Sequence, residues 1–301
     1  MYVRLHVCKY STERIARIMP ATTYPEGALK KVQAIELQLL EEFDRICRKH
    51  SLTYFIDGGS TLGAVRHGGF IPWDDDIDVG MPSYDYERFL AIAPHELCQG
   101  ISLHTHENTP GYSLFFAKLY KDGTRFVDEN AAASGCPQGI FLDIFPFYAL
   151  DADPQKGSKP RKKALMYQRI AFVKRNAHPH FPVTMSHRKL IGAACTVAHY
   201  TIARLWSIEQ LYALYKKAYE TDNPGTLWVN ANSGDAVPRK QEWLFPTKEI
   251  PFESLMVMAP NDCDAFLRAE YGEYMKLPPE DKRRTHMPLV LDFGDGTNVM
   301  E

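Results

Sequence analysis

The sequence predicts an α/β (α+β) fold, and three observations carry that expectation. Helix-period and strand-period stretches alternate through the first half of the chain. A short β-prone run meets a glycine turn and then a helix start near residue 58. Beyond residue 151 helical signals dominate.

Residues 1–27, with Pro20 and Pro25, read as an N-terminal arm. Residues 28–50 predict an amphipathic helix. Val32, Ile35, Leu39, Phe43, Ile46 and Cys47 recur at three- and four-residue steps, and charges fill the other face. Residues 52–56 form a short β-prone run that Gly58-Gly59 breaks. Ser60 is placed to cap a short helix reaching His67.

Gly68-Gly69 and Pro72 then turn the chain, and residues 76–80 alternate as a strand. Asp76 and Asp78 share one face, and Ile77 and Val79 the other. Asp75 points away, and Asp74 stands just outside the pair as support. Residues 84–95 read as a helix, and residues 101–106 and 114–120 as strands. Lys121-Asp122-Gly123-Thr124 reads as a hairpin turn before Arg125-Phe126-Val127. Residues 139–146 are a further strand, apolar except for Asp143 and ended by Pro146. A polar linker is expected over 153–160, helices over 162–176 and 187–219, turn-rich chain over 223–260, and a short helix over 262–271. The organisation expected is an arm (1–27), a catalytic core (28–150) and a basic helical region with a C-terminal return packed on that core (151–301).

At 301 residues the chain can bury a sizeable core. A net charge of −2 makes no argument for nucleic acid or membrane as a partner of the whole molecule. The charge is unevenly spread. Residues 154–208 contain no Asp or Glu but eleven of the 35 Lys and Arg residues, whereas all 37 acidic residues lie elsewhere. Such a segment can meet anionic lipid or an anionic polymer, so peripheral membrane contact through 154–208 is one expectation and a solvated helical face the other. The six cysteines are scattered without a C-x-x-C, which predicts reduced thiols. The first twenty residues hold no apolar signal segment, so the expected location is the cytoplasm, with peripheral contact at the inner face of the membrane. The longest apolar run, residues 190–206, is too short and too interrupted to span a bilayer. It reads as a buried helix, with a helix lying in a membrane interface as the alternative.

The chemistry concentrates in Asp57 to Gly80. Four carboxylates fall within five positions, Asp74 to Asp78. Two Asp at i and i+2 on a strand set their carboxylates on one face, roughly 6–7 Å apart. That suits a Mg²⁺ or Mn²⁺ bridged to phosphate oxygens. An EF-hand reading fails, because its Gly would fall at Val79 and its bidentate Glu at Asp85. Asp143, alone in an apolar strand, becomes a third carboxylate if its strand neighbours the first, and then a base for an attacking hydroxyl. Gly59 and Ser60 offer backbone N–H groups and a hydroxyl to a phosphate. Arg66 and His67 lie within reach of phosphate oxygens.

Gly-Gly-Ser with a spaced Asp-x-Asp and a later strand Asp resembles the nucleotidyltransferase-fold superfamily. The longer run from Asp57 through Gly63-Ala64-Val65-Arg66-His67 and Phe70-Ile71-Pro72-Trp73-Asp74-Asp75-Asp76-Ile77-Asp78 resembles one branch: the LicD-type phosphotransferases, related to fukutin-like proteins. Asp143-Ile144-Phe145-Pro146 and residues 271–279 add to the resemblance, which extends over about residues 30–290. It implies a nucleotidyltransferase-like mixed sheet with flanking helices. It also implies divalent-metal-dependent transfer of a phospho-alcohol, phosphocholine first, from a CDP-linked donor. The acceptor would be a hydroxyl of a cell-surface glycan, a lipid-linked glycan or a teichoic-acid precursor, and CMP would be released. By the family motif Asp76, Asp78 and Asp143 would be catalytic and hold the metal, and Gly59-Ser60 would meet the donor phosphates. Lys118 and Arg125 would neutralise the leaving group, and Trp73 could face a quaternary ammonium. Arg283, Arg284 and His286 are candidates to close over the site. The alternatives are an NTP-dependent nucleotidyltransferase and an inactive glycan- or membrane-binding module.

Overall fold

The computed structural model describes residues 23–128, 132, 134–179, 181, 186–230, 232, 237–283 and 285–301. Most of the expected N-terminal arm therefore lies outside the described residues.

Helix α1 (Ala28–Lys49) forms as its periodicity predicts. Val32, Leu39, Leu40, Phe43, Ile46 and Cys47 are inaccessible to solvent, and Arg48 and Lys49 occupy the last turn, where positive charge suits the carbonyl end. Strand β1 (Phe55–Ile56) leads into α2 (Gly58–His67). Asp57, not Ser60, caps α2: its carboxylate accepts the Gly58 N–H at 2.9 Å. Strand β2 (Asp78–Pro82) begins two residues later than the alternation predicts, so Asp76 precedes the strand. Burial still alternates, with Ile77 and Val79 fully buried and Asp76 and Asp78 partly so.

Helix α3 (Ser83–Glu96) is followed by β3 (Ile101–His104), β4 (Ala117–Lys121) and β5 (Arg125–Val127). The expected hairpin is not formed, because β5 pairs with a strand near the end of the sequence instead of with β4. Strand β6 (Phe141–Asp151) runs through Pro146. The Asp143 N–H points to the β2 side, bonding Ile77 O at 3.0 Å. By alternation position 146 faces the other side, where pairing with β4 stops at Ile144. A missing N–H costs nothing there.

Helix α4 (Pro154–Arg175) begins where a linker was expected. The long helix expected over 187–219 is divided into α5 (Arg188–Tyr200), a 3₁₀ turn at Ile202–Arg204 and α6 (Ile208–Tyr219). Ser207 and Gln210 form a capping box that starts α6 afresh. The buried-helix reading of residues 190–206 is also corrected, because α5 buries none of its residues. The chain continues through β7 (Pro224–Asn230), β8 (Arg239–Lys240), α7 (Gln241–Leu244), β9 (Lys248–Phe252), β10 (Leu255–Ala259), α8 (Cys263–Tyr271) and β11 (Val290–Asp292).

The result is a mixed α+β architecture. The main sheet runs β1-β2-β6-β4-β3, with β7 added on β6 and β8 on β7. Strands β2 and β6 are parallel and the other pairs antiparallel. Phe43, Tyr54, Val79, Phe89, Leu119 and Val257 share one core, while Phe55, Leu62, Phe147 and Phe266 form another. The two cores hold β2 from both faces, which fixes the frame on which the aspartates stand.

Gly63 shows how tightly α2 is seated. A β-carbon there would lie 2.4 Å from the Gly69 carbonyl oxygen, which is backbone and cannot swing aside. Gly63→Ala is expected to cost about 1–3 kcal/mol by overpacking, read as a lower urea midpoint at unchanged m-value.

Candidate active site

The first turn of α2 is stitched to the start of β2. The Asp57 N–H donates to Asp78 O at 2.8 Å, and Asp78 N–H donates to Ser60 Oγ at 2.9 Å. The Ser60 hydroxyl is therefore an acceptor within the fold, buried, with its own proton left to give. The amides of this turn are largely engaged as well. Gly58 N–H meets the Asp57 carboxylate, and Ser60 and Thr61 N–H meet the Asp57 carbonyl at 3.0 and 3.2 Å. Gly59 carries the amide left for a ligand among these. The lack of side chains at the two glycines keeps a cleft open. A β-carbon on Gly59 would sit 3.1 Å from Asp74 Oδ2, and one on Gly58 3.5 Å from Tyr271 Oη and 3.9 Å from Asp78 Oδ2.

Parallel pairing brings the carboxylates together. Asp78 on β2 is the register partner of Asp143 on β6, and Asp143 is in turn the partner of Lys118 on β4. Lys118 Nζ lies 2.7 Å from Asp143 Oδ1 and 3.5 Å from the centre of the Phe141 ring. Burial drives the Asp78 carboxyl well up, and the charges of Asp76, Asp143 and Asp57 add to the rise. Asp143 also rises through burial, against the pull of Lys118. Burial, with Asp76 and Asp75 beside it, pushes Asp74 up to about 8. A set of buried acids that resist ionising together is a site short of positive charge.

Asp75 does not simply point away from the site. It is fully buried and joins two distant segments. The Tyr24 hydroxyl donates to its Oδ2 at 2.6 Å, and the His286 N–H donates to Oδ1 and Oδ2 at 2.7 and 2.8 Å. His286 Nδ1 sits 3.2 Å from Asp75 Oδ1 and 3.1 Å from Asp76 Oδ2. Asp76 and Asp75 hold that imidazole protonated well above its usual range. Among the described residues, Asp75, Asp76 and His286 are the group whose ligand-type atoms lie within 4.8 Å of one another. Helix α1 closes the other side. Gln33 Nε2 donates to Asp74 O at 2.9 Å. One turn on, the Glu36 carboxylate is fully buried and meets no hydrogen-bond donor among the described residues. Desolvation raises it strongly, and Asp76 is the largest of the charges acting on it.

The remaining predicted residues separate into two groups. Arg66 borders the cleft, with a guanidinium that donates to Tyr274 O at 2.7 Å and to His67 Nε2 at 2.9 Å and feels the charge of Asp74. Trp73 lies 6.5 Å from the His67 ring, centre to centre, and the Arg283 guanidinium stacks over it at 4.5 Å. Lys118 belongs to the carboxylates as the partner of Asp143. Arg125 does not join them. It is exposed on β5, in the separate two-stranded sheet with β11, and makes no hydrogen bond or ion pair to the cluster. Arg284 lies outside the described residues. The residues not singled out by sequence are Glu36, Gln33, Tyr24 and Asp57. Glu36 left a readable signal, an acid placed four residues from both Val32 and Leu40 on the buried face of α1.

A glycine turn, an aspartate pair entering β2 and a third aspartate on the parallel neighbour are consistent with a nucleotidyltransferase-type domain. Residues 51–192 match the family model described as LicD/FKTN/FKRP, nucleotidyltransferase domain. The chain is similar to the lipopolysaccharide cholinephosphotransferase LicD of Haemophilus influenzae, 25% identical over 259 residues that cover 86% of this chain and 95% of that protein. It is 33% identical to an uncharacterized protein of Rickettsia typhi over 93 residues, 31% of this chain and 28% of that one. A stretch of 28 residues, 9% of this chain, is 61% identical to the ribitol 5-phosphate transferase FKRP of Homo sapiens and covers 6% of it. Residues 51–192 therefore carry a nucleotidyltransferase domain of the LicD/fukutin-like kind.

Two outcomes follow from the geometry. Asp75→Ala leaves the Tyr24 hydroxyl and the His286 N–H without their charged acceptor, a loss of roughly 1.5–3 kcal/mol for each bond. Amide exchange at His286 should quicken at least tenfold, measured by mass spectrometry. Asp74 sets a pH dependence. Unfolded it titrates near 3.8, folded near 8. Between those values the native chain holds a proton that the unfolded chain releases, so stability falls as pH rises through the window. In chelator the melting temperature should drop from pH 5 to pH 8, and Asp74→Asn should flatten the slope.

Proposed function

We propose that this protein transfers a phospho-alcohol from a CDP-linked donor to a hydroxyl of a cell-surface glycan or lipid-linked glycan precursor, releasing CMP. The observation that carries the reading is the pairing of Asp78 with Asp143 across β2 and β6, with Asp76 two residues before it and the Gly58-Gly59 cleft alongside. The activities named for two relatives support the substrate class. One transfers choline phosphate on lipopolysaccharide and the other ribitol 5-phosphate, and both groups are phospho-alcohols. Phosphocholine is the first choice, because the cholinephosphotransferase aligns with most of this chain.

The residues fit a small divalent cation, Mg²⁺ or Mn²⁺. Glu36 is a buried carboxylate without a donor among the described residues, and Asp74, Asp78 and Asp143 are all raised by burial beside one another. Oxygen-only ligands of this kind suit hard cations. Asp76, Asp78 and Asp143 would hold the ion. When bound, such an ion offsets charge on the donor diphosphate and on departing CMP.

The chain's own groups divide the remaining work. Gly59 N–H and the Ser60 hydroxyl proton are the α2 donors that can meet a donor phosphate. Asp143 takes the proton of the acceptor hydroxyl as its oxygen bonds to phosphorus and the bond to CMP breaks. Lys118 orients Asp143 and keeps its charge available until then. Arg66 replaces Arg125 as the cation beside the cleft. Trp73, already stacked by Arg283, offers a ring face to a cationic alcohol.

The test is a panel of CDP-choline, CDP-ethanolamine, CDP-glycerol and CDP-ribitol with a glycan acceptor and Mg²⁺ or Mn²⁺, reading CMP release. Turnover with one donor is expected, and Asp78→Asn should lower it more than about 100-fold. Pyrophosphate release from an NTP would assign nucleotidyl transfer instead. No turnover together with no heat on Mn²⁺ titration would support a binding module.

A further inference from the structure

Helix α5 is inside out. Leu190, Ala193, Ala194, Val197 and Tyr200 recur at helical spacing on its solvent side, and Leu190 and Val197 are 72% and 64% exposed. Thr196 and His199 face inward instead. Thr196 Oγ1 donates to Ala177 O at 2.9 Å, and His199 Nδ1 donates to Val173 O at 2.8 Å. Both acceptors lie in or just after α4, so these bonds fix the rotation of α5 and commit its apolar stripe to solvent. Ile202 and Leu205 extend the stripe, the latter 69% exposed. So much contiguous apolar surface marks a face that meets something other than water.

The charge around the stripe selects the occupant. Arg188 and Lys189 stand at one end of α5 and Arg204 beyond the other, where its guanidinium lies 5.9 Å from the Tyr200 ring centre. Across residues 154–208 there are eleven Lys and Arg and no carboxylate. A second copy set on this face by two-fold symmetry would place like charges together without counter-charge. An anionic lipid surface supplies the opposite charge and an apolar layer for the stripe. No helix among the described residues is long and apolar enough to cross a membrane, so α5 can lie on a bilayer but not span it.

We propose that the α5 face, with Ile202 to Leu205, docks on an anionic lipid bilayer. The stripe enters the boundary between headgroups and acyl chains, while Arg188, Lys189 and Arg204 meet lipid phosphates. This rests on the exposed helix alone and stands apart from the phosphotransfer reading.

The test is co-sedimentation of the full chain with phosphatidylcholine vesicles, with and without phosphatidylglycerol, at low and high salt. Binding to the anionic vesicles that weakens with salt is expected. Leu190→Ser with Val197→Ser should lower the partition coefficient roughly tenfold or more, and Lys189→Glu with Arg204→Glu should lower it by a similar factor. Both double variants alter exposed side chains, and an unchanged circular-dichroism melt checks that the fold survives. Failure to pellet with anionic vesicles at low salt would overturn the proposal. So would equal binding by the Leu190→Ser, Val197→Ser variant. A concentration-dependent dimer that this variant dissolves, without vesicle binding, would assign the face to a second copy.

Discussion

The parallel pairing of β2 with β6 is the constraint on which the rest of the site depends. It sets Asp78 directly beside Asp143 on neighbouring strands. Strands about 4.8 Å apart set the two acidic residues side by side, and the charge of Asp143 works against ionisation of Asp78. Every other feature of the site answers that crowding. Lys118 reaches Asp143 from the next strand, His286 wedges between Asp75 and Asp76, and Asn230 Nδ2 reaches the Asp57 carboxylate at 3.3 Å. Lys118 and His286 offset part of the negative charge, and the neutral Asn230 amide only hydrogen-bonds to it. The remainder is what a cation and a polyanionic donor would share.

Much of this could be read from the residues. The alternation of Ile77 and Val79 with Asp76 and Asp78 survives although the ladder itself starts at Asp78, because burial follows side-chain direction more closely than hydrogen bonding does. Asp143 was visible as one acid in an apolar strand. The position of its strand was not, since no local pattern says which strand lies beside which. The family resemblance supplied that adjacency, and the β2–β6 register puts the two residues face to face.

What the residues concealed was long-range. Asp75 looked idle by strand alternation, but it stands before the strand, where alternation does not govern. Its partners, Tyr24 and His286, are 51 and 211 positions away. Arg125 looked adjacent because a hairpin was assumed, and the pairing of β5 with β11 removed it. The apolar run at 190–206 looked like core because composition alone cannot tell an inward face from an outward one. Thr196 and His199 decide the matter by bonding inward. Glu36 was hidden for the opposite reason, as an acid whose burial makes sense only beside a cluster formed by residues far along the chain.

The joint between Asp75 and His286 bears on when the site comes into being. Ribosomes make the chain from its N-terminus, and domains tend to fold in that order. A nascent chain owns its crowded aspartates long before residue 286 exists, and β5 must wait for β11. Contacts of such long sequence separation form late and slowly. Until then the acidic loop lacks the imidazole that neutralises part of it, and charge repulsion should hold it open. The cleft thus cannot take its final shape until His286 and β11 have been made, and a shorter nascent chain carries the aspartates without the contacts that arrange them.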